Sequence, residues 1–365
     1  MKLQILGTRG VPAQHGGFET FAEHFAVYLH QKGWQVTVYC QEWGDGAIYE
    51  DEWCGVRRVH IPVTQNNAKG TVLFDWKSTL HAAKQKQPIL TLGYNTALFC
   101  LIYRIKGIKN VINMDGIEWL RGKWSFLERS WLYLNEKFGA WLGNHLIADH
   151  PEIKRHLARF TSHDKITVIP YSADLLDTAD EKQLDHFEIE KNRYALLVAR
   201  PEQENLILEI VRAYSSTRRE IPLIVLGKYV RENNKYHQEV LNAAGNEIRF
   251  VGAIYDKAVV QSLRFFTRLY IHGHTVGGTN PSLVEALGAG SPVLAHNNKF
   301  NRWVAGDGAC YFSTEEDCSN KLNILIKNDV QVTWMKTQSR EQFKRYFSRS
   351  AVHYAYEQLL LDKLT

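Results

Sequence analysis

The chain has 365 residues, 45% hydrophobic and 23% charged, with a formal net charge of +5. That length points to about two domains of ordinary globular composition. The mild positive balance singles out no nucleic-acid partner, and no run of about 18 apolar residues reads as a membrane span.

In chain order, the opening "MKLQILGTRGVP" reads as a first strand and not as a signal peptide. Its "KLQILG" is the short apolar strand, and "TRGVPAQHGG" is a glycine-punctuated turn. "FETFAEHFAVYLHQKG" carries apolar residues at helical spacing and stops at Gly33, and "WQVTVYC" predicts the next strand. This order implies a right-handed βαβ unit in a parallel sheet. The alternation continues through "VRRVHIPV", "PILTLG", "NVINMD", "HLIAD" and "ITVIPYSAD". A second set follows: "RYALLVARP", the helix "ENLILEIVRAYSSTR", then "PLIVLG", "IRFVG", "RLYIHG" and "SPVLAH". Between the sets, "DLLDTADEKQLDHFEIEKN" is polar and reads as an interdomain connection. Two doubly wound α/β domains are expected, with ligands outside the carboxyl ends of their strands. Five scattered cysteines, Cys40, Cys54, Cys100, Cys310 and Cys318, form no C-x-x-C pair and read as reduced thiols of a cytoplasmic protein.

Three constellations fall at such strand ends. In "HGHTVGGTNPSLVEALGAG", His272–Gly290, Asn280 can cap a helix and Pro281 can take its first position. Bare backbone at a helix N-terminus favours an anion, and a buried Glu285 just beyond offers oxygens for two neighbouring hydroxyls. Phosphate plus diol points to a nucleotide. His272 and His274 form an H-x-H pair, but with no acidic or cysteine partner beside them a pocket lining or simple packing is expected, not a metal site.

The second stretch, "GTRGVPAQHGGFET", does not give G-x-G-x-x-G. Its glycines serve either a positive-φ turn or, through Gly16 and Gly17, close approach to a diphosphate. His15 and Glu19 flank the pair and could touch a substrate hydroxyl, and Glu19 could equally cap the helix. The third, "VARPEQEN", ends a strand in Arg200, which suits either a bidentate pair with phosphate or a surface ion pair.

"VIPYSAD", "VARPEQENLILEIVRAY", "LIVLGK", "IRFVGAIYDKAVVQSL" and "HTVGGTNPSLVEALGAGSPVLA" fall in the order seen in GT-B glycosyltransferases. Over nearly the whole chain the sequence resembles the retaining family 4 of that class. "ILGTRGVPAQHGGFETFAEHFAVYL", "NMDGIEWLRGKW" and "GGTNPSLVEA" resemble its rhamnosyltransferase branch from bacterial polysaccharide pathways. The resemblance implies two Rossmann-like domains facing across an interdomain cleft, at 1–173 and 190–342, with a last helix, 343–365, packing back on the first domain.

It also implies roles for residues. Glu285 matches the second glutamate of the family's Glu-x7-Glu motif and would hold the nucleotide ribose. Arg200 matches the arginine on the donor diphosphate, which the Gly16–Gly17 turn would also approach. Gly278, Thr279, Asn280 and His274 would lie along the sugar and phosphates. Two positions depart from the pattern. The first glutamate of the motif falls at Gly277, and the lysine expected five residues after the arginine is Asn205, a loss of charge at the donor site for which Lys228 could partly compensate. Asp115, near where relatives carry a histidine on the donor sugar, and Glu118 would take part in sugar or acceptor recognition; Glu118 reads equally as a helix-start acid.

The implied activity is retaining, metal-independent glycosyl transfer with no resident cofactor. The lead donor is dTDP-L-rhamnose, with a UDP-hexose as alternative, and the acceptor is a lipid-linked glycan at the inner face of the membrane. The segment "EWLRGKWSFLERSWLYLNEKFGAWLGN" reads either as a core helix or as a surface lying on anionic lipid. A nucleotide-sugar epimerase and a nicotinamide-dependent dehydrogenase are the rival readings; the first loop does not fit the latter.

Overall fold

A computed structural model describes residues 1–364 except 15, 66, 123 and 233. The chain forms two compact units, one of Met1–Pro170 with Ser350–Thr365 and one of Tyr171–Arg349.

The first unit contains β1 (Lys2–Leu6), α1 (Gly17–Gln31), β2 (Gln35–Trp43), β3 (Tyr49–Trp53), β4 (Val56–Val63), α2 (Ala68–Gln85), β5 (Ile89–Leu92), α3 (Leu101–Ile105), β6 (Asn110–Asn113), α4 (Phe126–Leu142), β7 (His145–Ala148), α5 (Pro151–Leu157) and β8 (Ile166–Val168). The sheet runs β3-β4-β2-β1-β5-β6-β7-β8, parallel except for β3 against β4. Strands covered on both faces read as continuous apolar runs, which is why "KLQIL" and "ILTL" are legible as strands. Strand order reverses at β1 and β5, where Gln4 pairs with Ile89 and Leu6 with Thr91.

The second unit contains β9 (Ala195–Val198), α6 (Ile207–Ser215), β10 (Leu223–Leu226), α7 (Lys235–Asn242), β11 (Ile248–Gly252), α8 (Lys257–Phe266), β12 (Leu269–His272), α9 (Pro281–Gly288), β13 (Val293–His296), α10 (Lys299–Ala305), β14 (Cys310–Phe312), α11 (Glu315–Lys327) and α12 (Asp329–Tyr346). Its sheet, β11-β10-β9-β12-β13-β14, is wholly parallel and reverses between β9 and β12. This is the dinucleotide-fold strand order, whose ligand crevice lies at the reversal. The chain then closes with α13 (Arg349–Leu364), whose Val352, Tyr356 and Leu360 share a core with Phe25 and Leu29 of α1 in the first unit. Asn113 Nδ2 donates to the Tyr356 hydroxyl at 2.6 Å.

Two boundaries differ from the expectation. The polar stretch 174–192 is part of the second unit, because Leu184 and Ile189 bury into its core. The expected helix 343–365 is broken, since Phe343 and Phe347 belong to the second unit's core and only the residues from 350 join the first. Strands β3 and β14 were not expected. The first is the exposed sequence YEDEW, without apolar alternation, and the second is three residues long.

Candidate functional site

In the second unit the loops that leave β9 and β12 are tied together. The Thr275 amide and hydroxyl both donate to the Glu204 carbonyl at 2.9 Å. Gly273 lies so close to this neighbouring loop that a Cβ would stand 2.2 Å from the Asn205 carbonyl oxygen. The β12 loop then passes Gly277, Gly278 and the buried Thr279 to Asn280, whose side chain accepts from the Ser282 amide at 3.0 Å. With Pro281 in first position, α9 starts as the sequence implies.

Glu285 departs from the expectation of a buried acid. Its side chain is 46% exposed, because α9 buries Leu283, Val284, Ala286 and Leu287 and turns position 285 outward. It does not stand alone. The buried Arg264 of α8 places Nη2 2.6 Å from Glu285 Oε2 and 3.2 Å from Ser282 Oγ. Ser282 Oγ lies 2.7 Å from the Tyr270 hydroxyl of β12 and donates to the Val198 carbonyl that ends β9. The carboxylate is therefore aimed by a buried cation while keeping capacity to accept from a ligand diol.

Arg200 follows β9 with its side chain exposed, and its guanidinium has no ion pair among the described residues. Asn205, at the position of the lysine that the resemblance puts at the donor site, lies in the same turn. It is buried, its Nδ2 donates to the Arg200 carbonyl at 2.8 Å, and its Oδ1 has no hydrogen-bond partner among the described residues. It shapes the turn that carries Arg200. Lys228 is exposed just past β10. His274 stacks on His272 with ring centroids 4.3 Å apart, and burial pushes the His272 imidazole well below its usual pKa. The H-x-H pair thus packs ring on ring, as a lining does.

In the first unit, Gly16 is the N-cap of α1 with φ +45°, a conformation that favours glycine, and Gly17 opens the helix. Glu19 serves the turn, since its Oε1 accepts from the Arg9 amide at 3.2 Å. Asp115 follows β6, and its amide donates to Asn113 Oδ1 at 2.8 Å. Glu118 pairs with Arg121 at 2.9 Å and accepts from Trp124 Nε1 at 3.1 Å, so more than a helix-start role engages it. Glu19, Asp115 and Glu118 are brought together on the wall of one cavity of about 700 Å³, outside the carboxyl ends of β1 and β5. His15 lies outside the described residues.

Two residues escaped sequence reading. Arg264 sits in "VVQSLRFF" and looks like an ordinary helix charge, with Gln261 and Arg268 at helical spacing from it. Asp75, in "TVLFDWKSTL", lines the cavity and accepts from Thr96 Oγ1 at 2.8 Å. Its signal is the helical spacing Thr71, Asp75, Ser78, Thr79, which by default reads as a solvated face.

Residues 1–174 match the family described as "Domain of unknown function (DUF1972)", and residues 179–350 match "Glycosyl transferases group 1". No curated protein matches the chain. Among solved structures, the chain is similar to sucrose-phosphate synthase from Thermosynechococcus elongatus, with TM-score 0.80 and 14% identity over 99% of this chain and 98% of that one. It is similar to HepE from Anabaena in complex with UDP and glucose, with TM-score 0.76 and 16% identity over 99% and 100%. It is also similar to an α,α-trehalose-phosphate synthase (UDP-forming) from Burkholderia vietnamiensis, with TM-score 0.74 and 11% identity over 99% of each. At these identities the likeness concerns the fold, which is of the GT-B type: two Rossmann-like α/β domains.

Proposed function

We propose that this chain, whose C-terminal half carries a glycosyltransferase group 1 domain, moves a sugar from a nucleoside diphosphate to an acceptor hydroxyl with retention and without a metal. The donor in this reading is dTDP-L-rhamnose. The acceptor is a lipid-linked oligosaccharide of a bacterial surface polysaccharide, met at the inner face of the membrane. The observation that carries the reading is the conjunction around β9 and β12 of an exposed Arg200, the Asn280-capped helix and Glu285 aimed by Arg264. A fixed cation and a helix N-terminus stabilise a leaving diphosphate, and an oriented carboxylate accepts from the ribose hydroxyls. The leaving phosphate oxygen takes the acceptor proton on the same face, so no enzyme nucleophile is required.

Rhamnose rests on the motif resemblance of the N-terminal half. A UDP-hexose is the second reading, favoured by the description of HepE in complex with UDP-glucose. No helix among the described residues is long and apolar enough to cross a membrane, so in this reading the lipid-linked acceptor is met from the surface.

The test is thermal stabilisation by a panel of dTDP-, UDP-, GDP- and nicotinamide ligands, with and without EDTA. dTDP-L-rhamnose is expected to raise the midpoint, EDTA to leave it unchanged, and free nucleoside diphosphate to appear only with added glycan acceptor. Glu285→Gln is expected to weaken the donor about tenfold, roughly 1.4 kcal/mol. Arg200→Ala is expected to slow turnover more than binding. A response to UDP-sugars alone moves the assignment to the second reading, and a response to nicotinamide alone overturns both.

A further inference from the structure

The cavity of the first unit is built unlike a site for a phosphate. Among the described residues its wall holds five carboxylates, Glu19, Asp75, Asp115, Glu118 and Glu128, against two guanidinium groups, Arg9 and Arg121. Arg121 is engaged by Glu118 at 2.9 Å, which leaves Arg9 as the cation facing the remaining acids. Of the helix starts at the wall, α4 is closed by a capping box between Ser125 and Glu128, α2 is capped by Asn67, and the start of α1 carries Glu19 in its first turn, so the excess of carboxylates sets the sign of the wall. The rest of the wall is aromatic and aliphatic, with Phe18, Tyr94, Trp124 and Trp131 at its sides, and its volume lies in the range of small-molecule sites, about 300–1,000 Å³.

Within that wall Asp75 is held in place. Thr96 Oγ1 donates to Oδ2 at 2.8 Å, which fixes the carboxyl on α2 where it lines the cavity. Burial pushes this carboxyl up to about 7, against the opposing effects of Thr96 and Arg9. A wall whose burial already disfavours the charged form of Asp75 disfavours an incoming anion for the same reason, since the anion would give up its water there. A pyranose ring meets both halves of such a wall, its C–H faces against the aromatic rings and its hydroxyls against a few fixed polar groups.

We infer that this cavity takes the acceptor as an uncharged sugar ring, with Asp75 accepting a hydrogen bond from one of its hydroxyls, and that it rejects sugar phosphates and uronates. The inference rests on the transferase reading above and adds the chemical class of the acceptor. It separates this chain from an α,α-trehalose-phosphate synthase of the same fold that is described in complex with glucose-6-phosphate.

The test needs no donor. Saturation-transfer NMR is run on the full chain with methyl glycosides of glucose, galactose, mannose, N-acetylglucosamine and rhamnose, and with glucose 6-phosphate and glucuronate. At least one methyl glycoside is expected to bind the wild type. Its affinity is expected to fall at least tenfold in Asp75→Ala and severalfold in Asp75→Asn, which keeps the side-chain volume. Nucleotide binding by both variants, in the panel above, reports that the fold is intact. Glucose 6-phosphate binding as well as the best glycoside overturns the inference, as does unchanged affinity in Asp75→Ala or the absence of any glycoside signal. A wild type that binds glycosides through Asp75 but no nucleotide sugar keeps the cavity assignment and removes the transferase reading instead.

Discussion

Asp75 carries its surroundings as a raised proton affinity, about 7 in the folded chain against 3.8 for a free carboxyl. Between those values the folded state holds a proton that the unfolded state has lost. Stability therefore falls as pH rises from about 4 to about 7 and is level above. Asp75→Asn removes that slope. Urea unfolding at pH 5 and at pH 8 is expected to show the variant gaining on wild type by roughly 3 kcal/mol across the interval, at about 1.4 kcal/mol per pKa unit. A variant that loses ground toward pH 8 would show that the carboxyl is not held in its neutral form. The same residue marks the limit of sequence reading at this scale. Glu285 is legible because its helix start is written locally, in Asn280 and Pro281. Asp75 and Arg264 are not, because what distinguishes them comes from other elements: Thr96 in one case, Glu285 and Ser282 in the other.

At the scale of elements, the donor-side arrangement depends on two loops that approach as bare backbone. Gly273 has no side chain where one would stand 2.2 Å from the Asn205 carbonyl oxygen and 2.8 Å from a terminal carbon of Ile210. In Gly273→Ala the β12 loop has to move off the β9 loop, loosening the Thr275–Glu204 hydrogen bonds and displacing Arg200 from the α9 start. The expected result is at least a tenfold loss of nucleotide affinity with a destabilisation of about 1–3 kcal/mol, the usual range for overpacking. Calorimetric titration with the nucleotide and a thermal melt measure the two effects, and unchanged affinity would show that the loops act independently. The glycine-rich wording of the segment announced a close approach, but the partner backbone lies some seventy residues earlier. The strands were legible for a simpler reason, since parallel strands buried on both faces leave unbroken apolar runs. β3 fails that rule because it is an exposed antiparallel edge.

At the scale of the whole molecule, exposed apolar surface is unevenly shared. About half of the large apolar side chains exposed among the described residues fall between Val72 and Trp141 of the first unit. On α2 they are Val72, Leu73, Trp76 and Leu80, and on α4 they are Phe126, Leu127, Trp131, Leu134 and Trp141, both at helical spacing and both opposite a buried face. Of the Trp-rich segment, α4 buries Leu132, Asn135, Glu136 and Gly139, as the core reading expects, and exposes the other stripe, which that reading does not use. Trp76 meets Phe99 at 5.1 Å and Trp131 Nε1 donates to the Asn95 carbonyl, so α2 and α4 border the same connecting turn. Lys69, Lys84, Arg104 and Lys106 stand exposed among them. Apolar stripes with interspersed cations suit an anionic bilayer, where burial of side chains and attraction to headgroups add. If a lipid-linked acceptor is reached this way, the chain is expected to float with phosphatidylglycerol vesicles at low ionic strength and to release as salt rises. Combined Leu73→Ser, Trp76→Ser, Leu134→Ser and Trp141→Ser, all outside the cavity wall, is expected to abolish flotation with donor binding intact. A wild type that stays off the vesicles at low salt would mean that this surface serves another partner, and the acceptor would then have to come to the enzyme without the bilayer's help.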